Sequence, residues 1–397
     1  MLTIEKPGTY RISLLHIGFR PFFMLAGVFA VLAMIAWSLM YFRVISPNAA
    51  VMPAPTWHAH EMIYGYTLAV ITGFLLTAAR NWTGLQTLNR LPLLLLACLW
   101  LTARIVIFLP VDNALTVMAA TDLLYNFFFV VAVAHPLLKA RKWKQMSVWS
   151  KLLFLLIGNL LFYAGIFGYL EDGVTMGLYT GLYIIISLIL LMGRRVIPFF
   201  IEKRVADEVR IVNRKWVDIS SLVLMLVFLV VEVYWPLPTL AALTAMALFV
   251  LHLIRLSGWY APGIWREPML WVLYVGYGWL VIGFLLRGLA PVFHLTPTLA
   301  VHAFAAGGIG MITLGMMARV SLGHSGRDVY HYPSMLKVAF VAVALAATVR
   351  VFMPIVLPAA YPNIIATAQV FWVSGFAIFC FVYLPIWTLP RVDGRYG

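Results

Sequence analysis

The sequence WHAHEM places two histidines and a glutamate, His58, His60 and Glu61, at the start of a long apolar stretch. Ionisable side chains are costly inside a membrane and usually have a function there. Neutral imidazole binds copper, iron and zinc, and it is a common axial ligand of haem. A carboxylate beside such ligands can carry a proton or bind a second metal. We therefore predict a metal or cofactor site here, with polar packing at a helix N-terminus as the alternative.

The spacing of the two histidines leaves two arrangements open. Residues two apart in an α-helix point about 200° away from each other, so a helical His58 and His60 would serve two different centres. If the chain is extended, the two side chains share a face and can bind one ion. The sequence contains no CxxCH, which excludes covalently attached c-type haem and leaves b-type haem as the candidate.

The composition predicts that membrane-spanning helices position these residues. Of the 397 residues, 63% are hydrophobic and 11% are charged, against about 25% charged in a soluble domain. The mean hydropathy is +0.96. The first apolar run continues through Phe42 without a signal-peptide cleavage site, so it is interpreted as a retained span. Cys98 and Cys380 both lie in apolar spans and offer neither a disulfide framework nor a thiolate metal cluster.

The predicted fold is all-α, a polytopic membrane protein with a single bundle of about twelve transmembrane helices. Residues 1–397 form one domain in this interpretation, because no linker is long enough to separate soluble domains. The predicted spans are 21–42, 62–79, 91–109, 115–137, 151–170, 175–193, 216–234, 237–255, 268–288, 298–318, 336–353 and 364–388. We expect no paired charges in the span interiors and see no repeat that relates spans 1–6 to spans 7–12.

Lysine and arginine predict the orientation, since positively charged loops stay in the cytoplasm. With both termini cytoplasmic, 24 of the 28 basic residues fall on the inner side. The exceptions lie at or near outer span ends, and all are arginines: Arg43, Arg104, Arg287 and Arg350. Basic loops at a membrane surface account for the net charge of +14, so we expect no nucleic-acid partner.

This orientation sorts the nine histidines into two groups. The outer group is His58, His60, His294 and His302, and the inner group is His16, His135, His252, His324 and His331. His135, His252, His294 and His331 are interpreted as interfacial or hydrogen-bonded. His60 and His302 should enter the membrane at similar depth, and the segments that follow them are weakly alike: His, Gly, Gly and Gly coincide at offsets 0, 5, 13 and 24.

The inner histidines point to a second polar site. His16, Arg20 and His324 lie in HIGFRPFF and GHSGR, two stretches that both adjoin inner span ends. We expect these three side chains to lie within about 20 Å of one another, with the histidines as possible ligands and the arginine as a partner for anionic groups. The alternative is that these residues only anchor helix ends at the interface.

Several stretches resemble the NnrS family. They are HIGFRPFF, WHAHEM, ITGFLLTAARNWTG, GRRVIPFF, LWVLYVGYGWL and VHAFAAGGIGMITLGMMARVSLGHSGR. The resemblance implies a twelve-span protein of the bacterial inner membrane that contains haem and copper and protects against nitric oxide and nitrosative stress, often beside denitrification genes. It makes His60 and His302, with His58, the expected haem or copper ligands. The chain departs from the family pattern at Tyr274, where a histidine is common, which argues against a ligand in span 9.

A haem at these histidines would need partners for its two propionates. Guanidinium groups bind carboxylates in a fork that lysine cannot reproduce. We therefore expect propionates to meet at least one of Arg104, Arg287 and Arg350, with contact to lipid headgroups as the alternative.

Three functions follow from these observations. The first is reduction of nitric oxide at a haem and a second metal, with Glu61 as proton carrier or metal ligand and quinol or another membrane electron donor. The second is a haem sensor or a b-type cytochrome that transfers electrons without turnover. The third is a transporter, since twelve spans is a transporter architecture.

Overall fold

The computed structural model describes residues 13–45, 52–205 and 211–397, so Lys6, Arg11 and Arg210 of the charge count lie outside it. The described residues contain helices, turns and loops but no strand. Twelve helices are long and apolar enough to cross a membrane, which confirms the predicted number and the all-α fold. They are α1 Phe19–Tyr41, α2 Ala54–Thr83, α3 Arg90–Phe108, α4 Ala114–Lys139, α5 Trp143–Ile166, α6 Gly173–Arg204, α7 Lys215–Tyr234, α8 Pro238–Gly258, α9 Pro268–Phe293, α10 Pro297–His324, α11 Met335–Val356 and α12 Pro358–Thr388.

The α2 and α6 helices exceed their predicted bounds by the most, and both extensions include a motif. The α2 helix begins at Ala54, so the whole WHAH stretch is helical. Pro55 is tolerated in the first helical turn, where its missing N–H would have no helical partner in any case. The α6 helix continues through GRRVIPFF to Arg204. The helical geometry at WHAH decides between the two arrangements left open for His58 and His60.

The chain divides into two compact units. The first unit comprises Met1–Gly181, Met317–Leu336 and Phe376–Gly397, and the second comprises Leu182–Met316 and Lys337–Gly375. The helices α6, α10, α11 and α12 contribute residues to both units, although α11 contributes only its first two residues to the first unit. Whether the twelve helices form one bundle, and which side of the membrane holds the termini, stay predictions.

The weak sequence likeness between α2 and α10 has a counterpart in local backbone geometry. In α2 a π-helical segment, Glu61–Thr67, follows directly after His60. In α10 a π-helical segment of the same length, Ala303–Ile309, follows directly after His302. Gly84 and Gly326, each 24 residues after its histidine, have φ of 69° and 76°, which is left-handed backbone that favours glycine. In both helices a histidine directly precedes a π-helical segment.

Candidate functional site

His60 is fully buried in the first unit, and both of its ring nitrogens have partners in the chain. Nδ1 lies 3.1 Å from Oε1 of Glu61. Nε2 lies 3.1 Å from Oδ1 of Asn159 and 3.4 Å from Oδ2 of Asp122. The ring also stacks on Phe162, with centroids 4.3 Å apart. The predicted site is therefore a hydrogen-bonded network between α2, α4 and α5.

A single arginine joins the two carboxylates of this network. Arg104 of α3 donates from Nη2 to Oδ1 of Asp122 at 2.5 Å, and its Nε lies 3.1 Å from Oε2 of Glu61. Asp122 also accepts hydrogen bonds from Asn159 at 2.8 Å and from Tyr163 at 3.2 Å. We call His60, Glu61, Arg104, Asp122 and Asn159 the His60 cluster. Each of its side chains is at most 3% exposed.

The charges of the His60 cluster balance only if it holds one exchangeable proton. Glu61 and Asp122 carry two negative charges, and Arg104 carries one positive charge. An uncompensated charge is strongly disfavoured at this burial. One proton on the His60–Glu61 pair makes the cluster neutral, either on Nδ1 of the ring or on the glutamate. The two groups are 3.1 Å apart, which is within reach of a direct hydrogen bond.

The π-helical segment shapes the room around the cluster. Gly65, one turn after Glu61, leaves space that a Cβ would fill: that atom would lie 2.8 Å from Glu61 Oε2 and 2.9 Å from Arg104 Nη1. Trp100 Nε1 donates to the Gly65 carbonyl at 3.1 Å. This contact uses a main-chain oxygen of the π-helical segment and fixes α3, which carries Arg104, against α2.

His58 takes a different environment from His60. Its ring stacks on Trp37 of α1, with centroids 4.7 Å apart and planes 8° apart. His58 is partly exposed, whereas His60 is fully buried. The two histidines therefore do not share a face, as expected for residues two apart in a helix, and they cannot bind one ion together.

His302 lies in the second unit, at the point where α10 enters its π-helical segment. Its Nδ1 lies 2.7 Å from the Thr298 carbonyl oxygen. A carbonyl only accepts hydrogen bonds, so Nδ1 carries the proton and Nε2 of the neutral ring carries the lone pair. Ligating histidines commonly have this arrangement, in which the non-ligating nitrogen donates to a carbonyl.

The protein itself supplies carboxylates to two of the outer arginines. Arg104 is paired within the His60 cluster, and Arg287 forms a two-point pair with Glu232, at 2.7 and 2.6 Å. The charge that haem propionates were expected to balance is thus already balanced at these two positions. Arg350 donates to the Tyr361 hydroxyl at 3.3 Å and lies over its ring. A propionate partner among these arginines stays a prediction.

The structure brings the three residues of the inner site together, as predicted. The Phe19 ring lies 6.0 Å from the His324 ring and 5.4 Å from the Arg20 guanidinium. His16 stacks on Tyr396 at 4.5 Å, beside Gly397, whose main-chain oxygen accepts a hydrogen bond from Arg20. All of these residues belong to the first unit.

Arg20 uses its charge differently from the expectation. It is fully buried and donates from Nη1 to the carbonyl oxygens of Ile386, Trp387 and Leu389, at 2.7–3.0 Å. These carbonyls end α12, where a cation stabilises the helix dipole. Arg20 thus binds the carbonyl groups at the end of a helix, where an anionic partner was expected. Arg20 ties the C-terminal segment to α1.

Sequence reasoning missed residues that complete the His60 cluster. Asp122 and Asn159 were not singled out, although each stands inside an apolar run that is read as a span. An aspartate within a membrane segment is by itself a sign of function, and this sign was available. The expectation that span interiors lack paired charges was wrong, because Arg104 and Asp122 form a fully buried ion pair. Arg104 and Asn159, the partners of Asp122, lie on other helices, so residue spacing along the sequence did not reveal these contacts.

Most of the chain matches the model of a known protein family. A family model described as NnrS protein matches residues 13–391. The chain belongs to the NnrS family. A comparison with curated proteins gives no match. The matched range includes every residue predicted for the outer and inner sites.

The haem and copper expected from the NnrS resemblance fit the two units differently. In the His60 cluster the Arg104 guanidinium stands between the carboxylates, where a metal cation would sit, and both nitrogens of His60 are engaged. A metal does not fit there as the side chains are placed. Among the described residues, no group of three or more His, Cys, Asp and Glu could hold a metal ion. The tautomer of His302 does fit a role as a single imidazole ligand of haem or copper.

Proposed function

We propose that this protein protects the cell against nitric oxide by reducing it within the membrane. Membership of the NnrS family suggests a role in the nitric oxide response. Reduction joins two nitric oxide molecules with two electrons and two protons to give nitrous oxide and water. The observation that carries the proposal is the His60–Glu61 pair, whose facing atoms lie 3.1 Å apart and which is fully buried among apolar helices, where it can hold a proton.

The residues have separate roles in this proposal. His302 supplies Nε2 to haem b or copper, and the bound metal would supply nitric oxide binding and electron transfer. The His60–Glu61 pair holds the proton, and its transfer from Nδ1 to Oε1 covers the 3.1 Å between them. Arg104 and Asp122 hold the pair in place and balance its charge. His16 and His324 remain candidates for a second cofactor contact.

The cellular setting is also part of the proposal. Twelve candidate spans support a multi-pass membrane protein. We propose that the membrane is the bacterial inner membrane and that electrons come from quinol or a similar donor in the bilayer. No nucleic-acid partner is included.

The test adds nitric oxide without oxygen to purified, chemically reduced protein and measures nitrous oxide in the headspace. Haem is followed by its Soret absorption and copper by elemental analysis. We expect nitrous oxide from the wild type, and its loss in Glu61→Gln with haem and copper retained. Glu171→Gln, which changes an exposed loop glutamate, is the control and should keep full activity.

Each outcome separates the candidates. A Soret band without nitrous oxide would leave a sensor or an electron-transfer cytochrome and contradict reduction. Equal activity of Glu61→Gln and wild type would remove the proton role of the cluster. His302→Ala should lose or shift a metal signal, and full retention of both metals in that variant contradicts its role as ligand.

A transporter is the second candidate, and the buried ion pairs favour it. Buried carboxylates that hold a proton beside an arginine are also what proton-coupled transport requires. If the purified wild-type protein has neither a Soret band nor copper, this candidate is favoured over the first.

A further inference from the structure

A cavity in the second unit lies between α6, α7 and the end of α8. Its volume is about 210 Å³. Its polar lining consists of Ser187, Arg194, Asp218, Ser221 and Arg255, and its apolar lining includes Leu190, Leu191, Ile219, Leu222, Val223 and Met225. The cavity thus has one polar wall and one apolar wall, and nothing in the proposed function has used it.

The polar wall is a fixed network around one carboxylate. Asp218 pairs with Arg194 and accepts a hydrogen bond from Arg255 at 2.8 Å. Arg255 also donates to Ser221 at 2.9 Å and to the Tyr277 hydroxyl at 3.1 Å. These contacts hold Asp218 and both guanidinium groups in place, so the wall offers donors and an acceptor at set positions.

The network continues from the cavity into the protein interior. The Tyr277 hydroxyl lies 2.7 Å from Nδ1 of His252, which is fully buried and stacks on Phe284. Nε2 of His252 is buried and has no hydrogen-bond partner. A continuous hydrogen-bonded chain therefore runs from Asp218 through Arg255 and Tyr277 to the His252 ring.

The cavity is open toward the bilayer. Ile219, Leu222 and Val223 of its apolar lining are 55%, 56% and 55% exposed, and they belong to a membrane-spanning helix. Exposed apolar side chains on such a helix face lipid tails. A molecule dissolved in the bilayer can therefore reach the polar wall from the side.

Size and charge select the kind of molecule. Pockets that enclose a drug-sized ligand have volumes of about 300–1,000 Å³, so this one suits a single substituted ring whose tail stays among the lipids. Asp218 lies between the two arginines, and a lipid phosphate that approached either guanidinium would also approach its carboxylate. A neutral ring with oxygens that both donate and accept avoids this repulsion.

We propose that this cavity binds the ring of a membrane quinol or quinone, with Asp218 accepting a hydrogen bond from a ring hydroxyl and Arg194 donating to a ring oxygen. The site rests on the proposed function only in giving a location for its electron donor. Binding can be measured without nitric oxide, haem or copper, so the two proposals fail separately.

The test measures equilibrium binding of radiolabelled decylubiquinone to purified protein in detergent micelles. Leu222→Trp fills the bilayer side of the cavity from an exposed position that a larger side chain can occupy without disturbing the core. Leu226→Trp is the matched control, because Leu226 lies one turn further along the same helix, is 62% exposed and does not line the cavity. We expect saturable binding to the wild type and to Leu226→Trp, and its loss in Leu222→Trp.

A second pair of variants tests the polar wall. Asp218→Asn should weaken binding of decylubiquinol, the reduced form that carries ring hydroxyls, about tenfold, because it removes the charged acceptor for a ring hydroxyl. Glu267→Gln is the control. Glu267 pairs with Arg204 at 2.6 Å and does not line the cavity, so its replacement should leave binding unchanged. Thermal unfolding of each variant shows that it is folded.

Three results would overturn the proposal. The first is the absence of saturable binding to the wild type, and the second is equal binding to the two tryptophan variants. The third is displacement of quinone by phosphatidylglycerol, with phosphatidylglycerol binding lost in Leu222→Trp, which would make the cavity a lipid site.

Discussion

Replacing Arg104 by methionine tests the charge balance of the His60 cluster. The change keeps most of the side-chain length and removes the only permanent positive charge between Glu61 and Asp122. Even with a proton on the His60–Glu61 pair, the cluster then carries an uncompensated negative charge. Because Arg104 and Asp122 are 3% and 0% exposed, water cannot compensate for the loss.

Breaking a buried ion pair by removing one partner typically costs about 3–5 kcal/mol. Asp122 keeps its hydrogen bonds from Asn159 and Tyr163, so we expect the lower end, about 3 kcal/mol in the free energy of unfolding. Adding Asp122→Asn to Arg104→Met restores neutrality. The double variant should therefore be more stable than Arg104→Met alone by about 1 kcal/mol or more.

The assay is unfolding of purified protein by a denaturing detergent in mixed micelles, followed by the fluorescence of the chain's 14 tryptophans. Arg287→Met is the matched control, because its pair with Glu232 is 16% and 12% exposed, so water compensates part of the loss and the cost should be smaller than for Arg104→Met. The reasoning is refuted if Arg104→Met costs no more than Arg287→Met. It is also refuted if the double variant loses at least the sum of the two single losses.

Three further predictions concern other contacts. Arg20→Met removes donors to four main-chain oxygens of the C-terminal segment and should speed proteolysis of that segment. Unchanged cleavage would show that Arg20 does not hold this segment in place. Arg391 holds the pKa of Asp393 below its ordinary value. The pair therefore stabilises the folded C-terminal segment fully above the unfolded pKa of about 3.9, and this stabilisation is lost only as pH falls through the folded pKa. Asp393→Asn should accordingly speed the same cleavage by an equal factor at about pH 5 and about pH 8. Gly65→Ala places a Cβ within 2.9 Å of the carboxylate and guanidinium of the His60 cluster and should cost about 1–3 kcal/mol, whereas Gly278→Ala, where the nearest atom is 3.7 Å away, should not destabilise.

The sequence by itself determined the number and the approximate positions of the membrane-spanning helices. This succeeds because the cost of exposing polar groups to lipid forces long apolar runs, which are visible residue by residue. The motifs around His60 and His302 were also local signals. Even the likeness between α2 and α10 was detectable, although the π-helical segments that follow both histidines were not.

Only the tertiary structure decided what these residues contact. Asp122 lies 18 residues from Arg104 and 37 from Asn159 in the sequence, and no spacing rule joins residues on different helices. The start of α2 also needed the fold: WHAHEM is polar enough to read as a loop, and it is helical because Glu61 and His60 find partners that compensate their burial. Hydrophobic patterns record which face of each helix is buried, whereas the pairing of buried charges depends on how the helices are rotated and packed against one another.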